Sequence, residues 1–237
     1  MSDGWAESAS AWIADMGDKG DFGRAYVLDR PMLERVAGGS FTNALDVGCG
    51  EGRFCRMLAE RGIRTVGIDP TKVLIDEAKR RHPKGEYRIG RGEQLDFPDA
   101  SFDLVVSYLS LIDIPDLAPA ITEMARVLRP GGALLIANLT SFDTAAQRSF
   151  GARFGIRPPV DHYLVERAEW VSWRGIRIQN WHRPLSMYMA LLLDAGLELR
   201  HFAEPSPHAG DSLRIALYRR APWFLIMEWQ KPGAAIG

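Results

Sequence analysis

The stretch Leu45-Asp-Val-Gly-Cys-Gly-Glu-Gly52 constrains this chain more than any other feature. An apolar run that reads as a buried strand, Ala44 to Val47, passes directly into glycines at 48, 50 and 52 and then into the helix-like segment Arg53 to Arg61. A tight turn at the carboxyl end of a parallel strand lies at the crevice where doubly wound sheets bind ligands. Glycines there let the backbone approach a ligand without a Cβ in the way. The ligand class follows from spacing. A dinucleotide fingerprint, G-x-G-x-x-G, would place its third glycine at position 53, which is Arg53. A Walker loop would end in Gly-Lys-Ser/Thr, which is absent. Nicotinamide and ATP chemistry are therefore disfavoured, leaving a turn that either holds another ligand or merely connects strand to helix.

The pattern around the loop is βαβ. Strands are expected at 44–47, 65–68, 86–89, 102–107 and 133–139, helices at 53–61, 73–81 and 117–128, with a turn at Pro130-Gly131-Gly132. Strands alternating with helices imply a doubly wound, mostly parallel sheet with helices on both faces. The regularity lapses over 141–183, a gap too long for an ordinary connection. Its load of Phe142, Phe150, Phe154, Tyr163, Trp170, Trp173 and Trp181 argues that it packs. It also carries seven arginines and no lysine against Asp143, Asp161, Glu166 and Glu169. Two readings stand: a substrate lid inserted after the fifth strand, suited to an aromatic or carboxylate-bearing small molecule, or a packed insertion that forms a dimer surface. Beyond it, a helix near 186–195 with Ser186 as N-cap and Gly196 at its end leads to strands at 197–202 and 224–229, with Asp211 capping a short helix between them. Residues 1–40 read as a helical cover in which Trp5 and Trp12 share compatible faces.

At 237 residues, 46% of them hydrophobic and 25% charged, one globular domain over 1–237 is expected. A net charge of −1 provides no field for nucleic acid or an anionic membrane. The start of the chain has no basic, apolar leader, and no apolar run approaches a membrane span, so a soluble cytoplasmic protein is expected. Cys49 and Cys55 alone make neither a disulfide framework nor a zinc site, and no metal is expected.

The glycine loop resembles motif I of the class I S-adenosylmethionine-dependent methyltransferases. Val66-Gly-Ile-Asp69, the stretch Gly90 to Asp103, and Ala125-Arg-Val-Leu-Arg-Pro-Gly-Gly132 resemble further family signatures in the expected order. The resemblance implies a Rossmann-like, seven-stranded sheet and S-adenosyl-L-methionine as cofactor. It implies that Asp69, beside Pro70, accepts the ribose hydroxyls; a helix N-cap is the plainer role for Asp69. Backbone around Gly48, Cys49 and Gly50 would meet the methionine portion. Asp46 would organise the loop and the cofactor ammonium, or simply fix the turn. Relatives commonly carry Asp-Ala where this chain has Arg91-Gly92. Arginine cannot accept from the adenine amino group, so that task falls on Gly92, Glu93, Gln94 or backbone near Leu95. Tyr108 would border the sulfonium or roof the sheet edge, and Arg24 would meet the cofactor carboxylate.

Methyl transfer is an in-line displacement, for which the protein positions the acceptor and excludes water. A hydroxyl or protonated amine acceptor also needs a base. His182 and His162 are the histidine candidates and Asp113 the carboxylate one, with helix-entry and turn-capping roles as their plainer alternatives. The expectation is an enzyme that methylates oxygen or nitrogen on a small molecule, as monomer or homodimer. RNA or protein methylation and a non-catalytic cofactor-binding role are the alternatives.

Overall fold

A computed structural model describes residues 3–146 and 160–233. In chain order its elements begin with α1 (Trp5–Met16), then a π-helical turn over Arg24–Leu28 running into α2 (Asp29–Ala37). Next come β1 (Asn43–Val47), α3 (Arg53–Ala59), β2 (Arg64–Asp69), α4 (Lys72–Arg81) and β3 (Glu86–Ile89). They are followed by β4 (Phe102–Tyr108), α5 (Leu117–Val127), β5 (Leu128–Leu139), α6 (Ser141–Ala145), β6 (Arg167–Trp173) and β7 (Ile176–His182). The chain closes with α7 (Leu185–Asp194), β8 (Glu198–Ala203), α8 (Ser212–Tyr218) and β9 (Phe224–Gln230). One seven-stranded sheet runs β3-β2-β1-β4-β5-β9-β8, with β9 alone antiparallel to its neighbours. The order reverses at β1 and β4, so the turn after β1 opens into the crevice where such sheets bind ligands.

The central strands read as continuous apolar runs because both faces are covered. Leu45, Val47, Val105, Leu134 and Ile136 pack against α5 and α7 on one face. Ala44, Leu104, Val106, Leu135 and Ala137 meet the α2 and α3 side on the other. The alternation in β1 thus divides one strand between two cores.

The insertion differs from its expected irregularity. β6 and β7 form an antiparallel hairpin outside the main sheet, turned by Arg174 and Gly175 at φ of 43° and 83°. Two successive positive φ angles match the twist of paired strands, and Arg-Gly supplies them in two residues. Val171, Ile176 and Ile178 point to a small core shared with Trp5, Ala11, Trp12 and Trp173. The hairpin therefore packs on α1, and Ser8 Oγ both donates to the Arg177 carbonyl and accepts its N–H at 2.9 Å. Trp5 and Trp12 meet edge to face at 5.1 Å, as their spacing suggests. Phe150 and Phe154 lie outside the described residues.

Two helix ends separate expectation from outcome. α7 begins at Leu185 behind Pro184, so Ser186 sits inside the first turn and caps nothing. Gly196 does take the left-handed conformation at φ 75°, and Asp211 accepts the Arg214 N–H at 3.0 Å as the N-cap of α8. Among the described residues no helix is long and apolar enough to cross a membrane.

Candidate active site

The glycine loop is fixed to the sheet by Gly48 and Cys49, whose N–H groups both donate to the Ile68 carbonyl at 2.8 and 2.9 Å. Gly48 has φ 77°, and a Cβ there would stand 2.4 Å from Ser110 Cβ; no other residue fits. Gly50, at φ 55°, faces open space: a Cβ built on it meets nothing within 4 Å. Its N–H donates to Asp69 Oδ2 at 3.0 Å, while Thr71 N–H donates to Asp69 Oδ1 at 2.8 Å. Each Asp69 oxygen thus keeps a further lone pair for a ligand hydroxyl. The Thr71 bond also gives Asp69 its helix-entry role, so the two readings of this residue are compatible.

Asp46 is 1% exposed. Its Oδ2 accepts from Cys55 Sγ at 3.3 Å, and its Oδ1 has no partner. Burial, reinforced by Glu51 and Asp69 and opposed by the Cys55 hydrogen bond, pushes this carboxyl up to about 7. A buried carboxylate oxygen without a donor is costly, and here it borders a cleft. The cleft encloses about 1030 Å³ out to its open mouth. The open face at Gly50, the spare lone pairs on Asp69 and the unpartnered Asp46 Oδ1 suit a nucleoside that carries both ribose hydroxyls and an ammonium.

Asp46, Gly48, Cys49, Gly50, Asp69, Pro70, Gly92, Glu93, Tyr108 and Arg24 all line this cleft. Gln94 does not; its N–H closes a turn onto the Arg91 carbonyl at 3.3 Å. Tyr108 donates its hydroxyl to Asp29 Oδ1 at 2.7 Å, and Arg53 forks onto both oxygens of Asp29 at 2.8 and 2.5 Å. This buried trio ties α2, α3 and β4 together beneath the cleft and holds the Tyr108 phenol well above its usual pKa, chiefly by burial. Arg24 pairs with Asp21 at 3.0 Å and lies 4.9 Å from the Trp12 ring and 5.9 Å from that of Tyr108. The Asp29–Arg53 pair escaped sequence reasoning, which registered Arg53 only as the residue that breaks a dinucleotide fingerprint.

The base candidates separate. Asp113, on the loop after β4, lines the cleft and accepts from Asn180 Nδ2 at 2.5 Å. Burial drives its carboxyl well above the usual range. His182 lies elsewhere, 2% exposed and outside the cleft lining. Its Nε2–H donates to the Tyr163 carbonyl at 2.9 Å and its Nδ1 accepts the Thr144 hydroxyl at 2.8 Å. A carbonyl can only accept, so Nε2 carries a proton; burial lowers the ring's pKa and favours the neutral form, in which Nδ1 accepts. His182 fastens β7 to α6, and both nitrogens are committed. His162 is an exposed turn residue at φ 49°, beside Asp161 and away from the cleft. Among the described residues, neither histidine lines the cleft.

The loop carrying Asp113 is held from β7 and the residue just beyond it. Trp181 N–H donates to the Ile112 carbonyl at 2.6 Å. Arg183, whose side chain is fully buried, donates to the carbonyls of Leu111, Ile114 and Pro115 at 3.2, 2.9 and 2.7 Å and pairs with Glu166 at 2.6 Å. The other described arginines of the insertion are also engaged: Arg167 with Glu169, Arg174 with Asp15, Arg177 over the Trp170 ring. None of these four lines the cleft. Arg148, Arg153 and Arg157 lie outside the described residues.

Comparison with known proteins agrees with this geometry. The pattern defining a methyltransferase domain matches residues 45–136. Over 126 residues the chain is 36% identical to a malonyl-acyl-carrier-protein O-methyltransferase of Serratia marcescens, covering 52% of this chain and 49% of that one. In this first match the chain thus spans about half the relative's length. A protein of the same name from Enterobacter lignolyticus is 27% identical over 204 residues, covering 86% of this chain and 81% of the relative. Among solved structures, an S-adenosylmethionine-dependent methyltransferase from Mesorhizobium loti superposes with a TM-score of 0.72 at 26% identity, over 90% of this chain and all of the other. Motif, strand order and these likenesses converge: residues 45–136 match a methyltransferase domain, and the chain has the fold of S-adenosylmethionine-dependent methyltransferases.

Proposed function

We propose that the protein transfers a methyl group from S-adenosyl-L-methionine to an oxygen or nitrogen of a small organic acceptor. The observation that carries this reading is a single cleft in which the open face of Gly50, both oxygens of Asp69 and the unpartnered Asp46 Oδ1 converge. In this reading Asp69 accepts the two ribose hydroxyls and Asp46 meets the ammonium. Arg24 faces the carboxylate, and Gly92 and Glu93 border the adenine. When bound, the cofactor supplies a methyl group already activated by positive sulfur, so the chain needs no nucleophile of its own. Its contributions are placement, exclusion of water under the Trp5–Trp12 cover, and a carboxylate at Asp113 that takes the acceptor's proton.

The short basic stretch Lys79 to Arg91, the one feature that would favour an RNA acceptor, is partly neutralised: Arg80 and Arg81 pair with Glu77, and Arg88 pairs with Glu86. Calorimetric titration with S-adenosylhomocysteine and with NAD tests the reading. Saturable binding of the first and none of the second is expected; the reverse would overturn it.

A further inference from the structure

Asp113, Asp3, Trp5 and Trp12 line the same cleft as the glycine loop. Among the described residues no cation lies within ion-pair distance of Asp113 or Asp3. Asp113 Oδ1 accepts from the neutral Asn180 amide, and Asp3 Oδ1 accepts the Trp5 N–H at 3.1 Å. Arg24, whose charge acts on Asp113, pairs with Asp21, lies over the Trp12 ring and in the reading above serves the cofactor carboxylate. Asp3 and Asp69 both act on Asp113 across the cleft, so three carboxyl groups share one field. Two indole rings complete the wall; Arg24 already lies over one of them, Trp12, and indole faces attract cations. A carboxylate-bearing acceptor would meet carboxyl groups at this wall and no described cation left to pair with it, and an unpaired charge taken out of water is costly. Of the arginines that line the cleft, Arg24 pairs with Asp21, Arg53 pairs with Asp29, and Arg91 stands beside Gly92 and Glu93 on the adenine side; the described arginines of the insertion, at 167, 174, 177 and 183, are engaged outside it.

Resting on the methyltransferase reading, we infer that the acceptor is an amine, received between Asp113 and the indole rings of Trp5 and Trp12 and methylated on nitrogen. An ammonium entering beside Asp113 shares one proton with it. Burial favours the neutral arrangement of that pair, with the proton on Asp113 and the lone pair free on nitrogen. That lone pair forms the new bond to the methyl carbon while the carbon–sulfur bond breaks, its electron pair remaining on sulfur as a neutral thioether. The product ammonium carries the positive charge the sulfonium loses, and Asp113 returns its proton to solvent. The O-methyltransferase names of the relatives do not carry over, because acceptor choice depends on these walls and not on the glycine loop.

The test uses the full chain saturated with S-adenosylhomocysteine and two probes of similar size, 2-phenylethylamine and 3-phenylpropionate, titrated by calorimetry. The amine is expected to bind at least about tenfold more tightly, in line with a charge-assisted contact. Asp113→Asn should erase that preference while leaving the S-adenosylhomocysteine isotherm unchanged. With S-adenosylmethionine present, labelled methyl should appear on the amine and not on the carboxylate. Equal or tighter binding of 3-phenylpropionate, or binding of neither probe, overturns the amine proposal. Intact S-adenosylhomocysteine binding in those cases keeps the methyltransferase reading standing; its absence would instead remove that reading.

Discussion

The two sides of the cleft are built by different means. The glycine-loop side is backbone: β1 and β2 end in register, Val47 opposite Ile68, and the N–H groups of Gly48, Cys49, Gly50 and Thr71 make the contacts that shape it. The opposite side is made of side chains reaching between distant segments. Asn180 holds Asp113, Arg183 gathers three carbonyls of the same loop, and Trp12 of α1 rests against Trp173 at 6.3 Å. Local geometry sets the first wall, and its chemistry is common to a family. Long-range packing sets the second, where members can diverge without disturbing the sheet.

The comparison makes Arg183 the most sensitive position. Arg183→Leu leaves the carbonyls of Leu111, Ile114 and Pro115 without their donor and removes a buried charge from its partner Glu166. Orphaned buried carbonyls cost roughly 1–3 kcal/mol each before water relieves some of them. A loss of about 3 kcal/mol is expected in urea unfolding, with acceptor turnover lost more completely than cofactor binding. A variant as stable as the parent would show that the acceptor wall does not depend on this clamp. On the other side, Asp69→Asn should weaken S-adenosylhomocysteine binding by about 1.5–3 kcal/mol, one charge-assisted contact, with little change in unfolding. An unchanged isotherm would remove Asp69 from the site.

The same division explains what could be read from sequence. Strand ends, the glycine turn and Asp69 depend on neighbours a few residues away, so periodicity and spacing placed β1 to β5 and their helices closely. The hairpin was legible in principle: Val171 and Trp173 alternate up to Arg174-Gly175, and Ile176 and Ile178 resume the alternation. Its aromatic and arginine content drew attention away from that pattern. Tyr108, Asp29 and Arg53 meet across separations of 79 and 24 residues, and nothing local marks them as partners. The surroundings of His182 were hidden for the same reason. Its residue type suggests a base, while its role is decided by Thr144 and the Tyr163 carbonyl, which only the fold brings together.

His182→Ala therefore separates packing from chemistry. Losing two hydrogen bonds at a buried ring should cost about 1–2 kcal/mol of stability. Rate at saturating substrates should remain within about twofold of the parent, measured well below the variant's midpoint of unfolding. A rate loss of two orders of magnitude with unchanged stability would return His182 to the reaction.

Asp46 gives the finest test of the backbone-built wall, because its carboxyl is shifted from an ordinary 3.8 to about 7. Between those values the folded chain binds a proton that the unfolded chain does not. This group's contribution to stability therefore falls as pH rises through that window and stays low above pH 7. An ammonium beside Oδ1 favours the charged form, so binding releases the proton wherever the free protein still holds it. Affinity for S-adenosylhomocysteine should accordingly weaken as pH falls below about 7, by up to about tenfold per pH unit, and should level off above it. Once the ligand's own α-amino group loses its proton at alkaline pH, the advantage fades again. Asp46→Asn removes the titrating group and should flatten the acid limb while weakening binding at pH 7.5. If the acid limb survives in that variant, another group carries the proton, and the ammonium does not sit against Asp46.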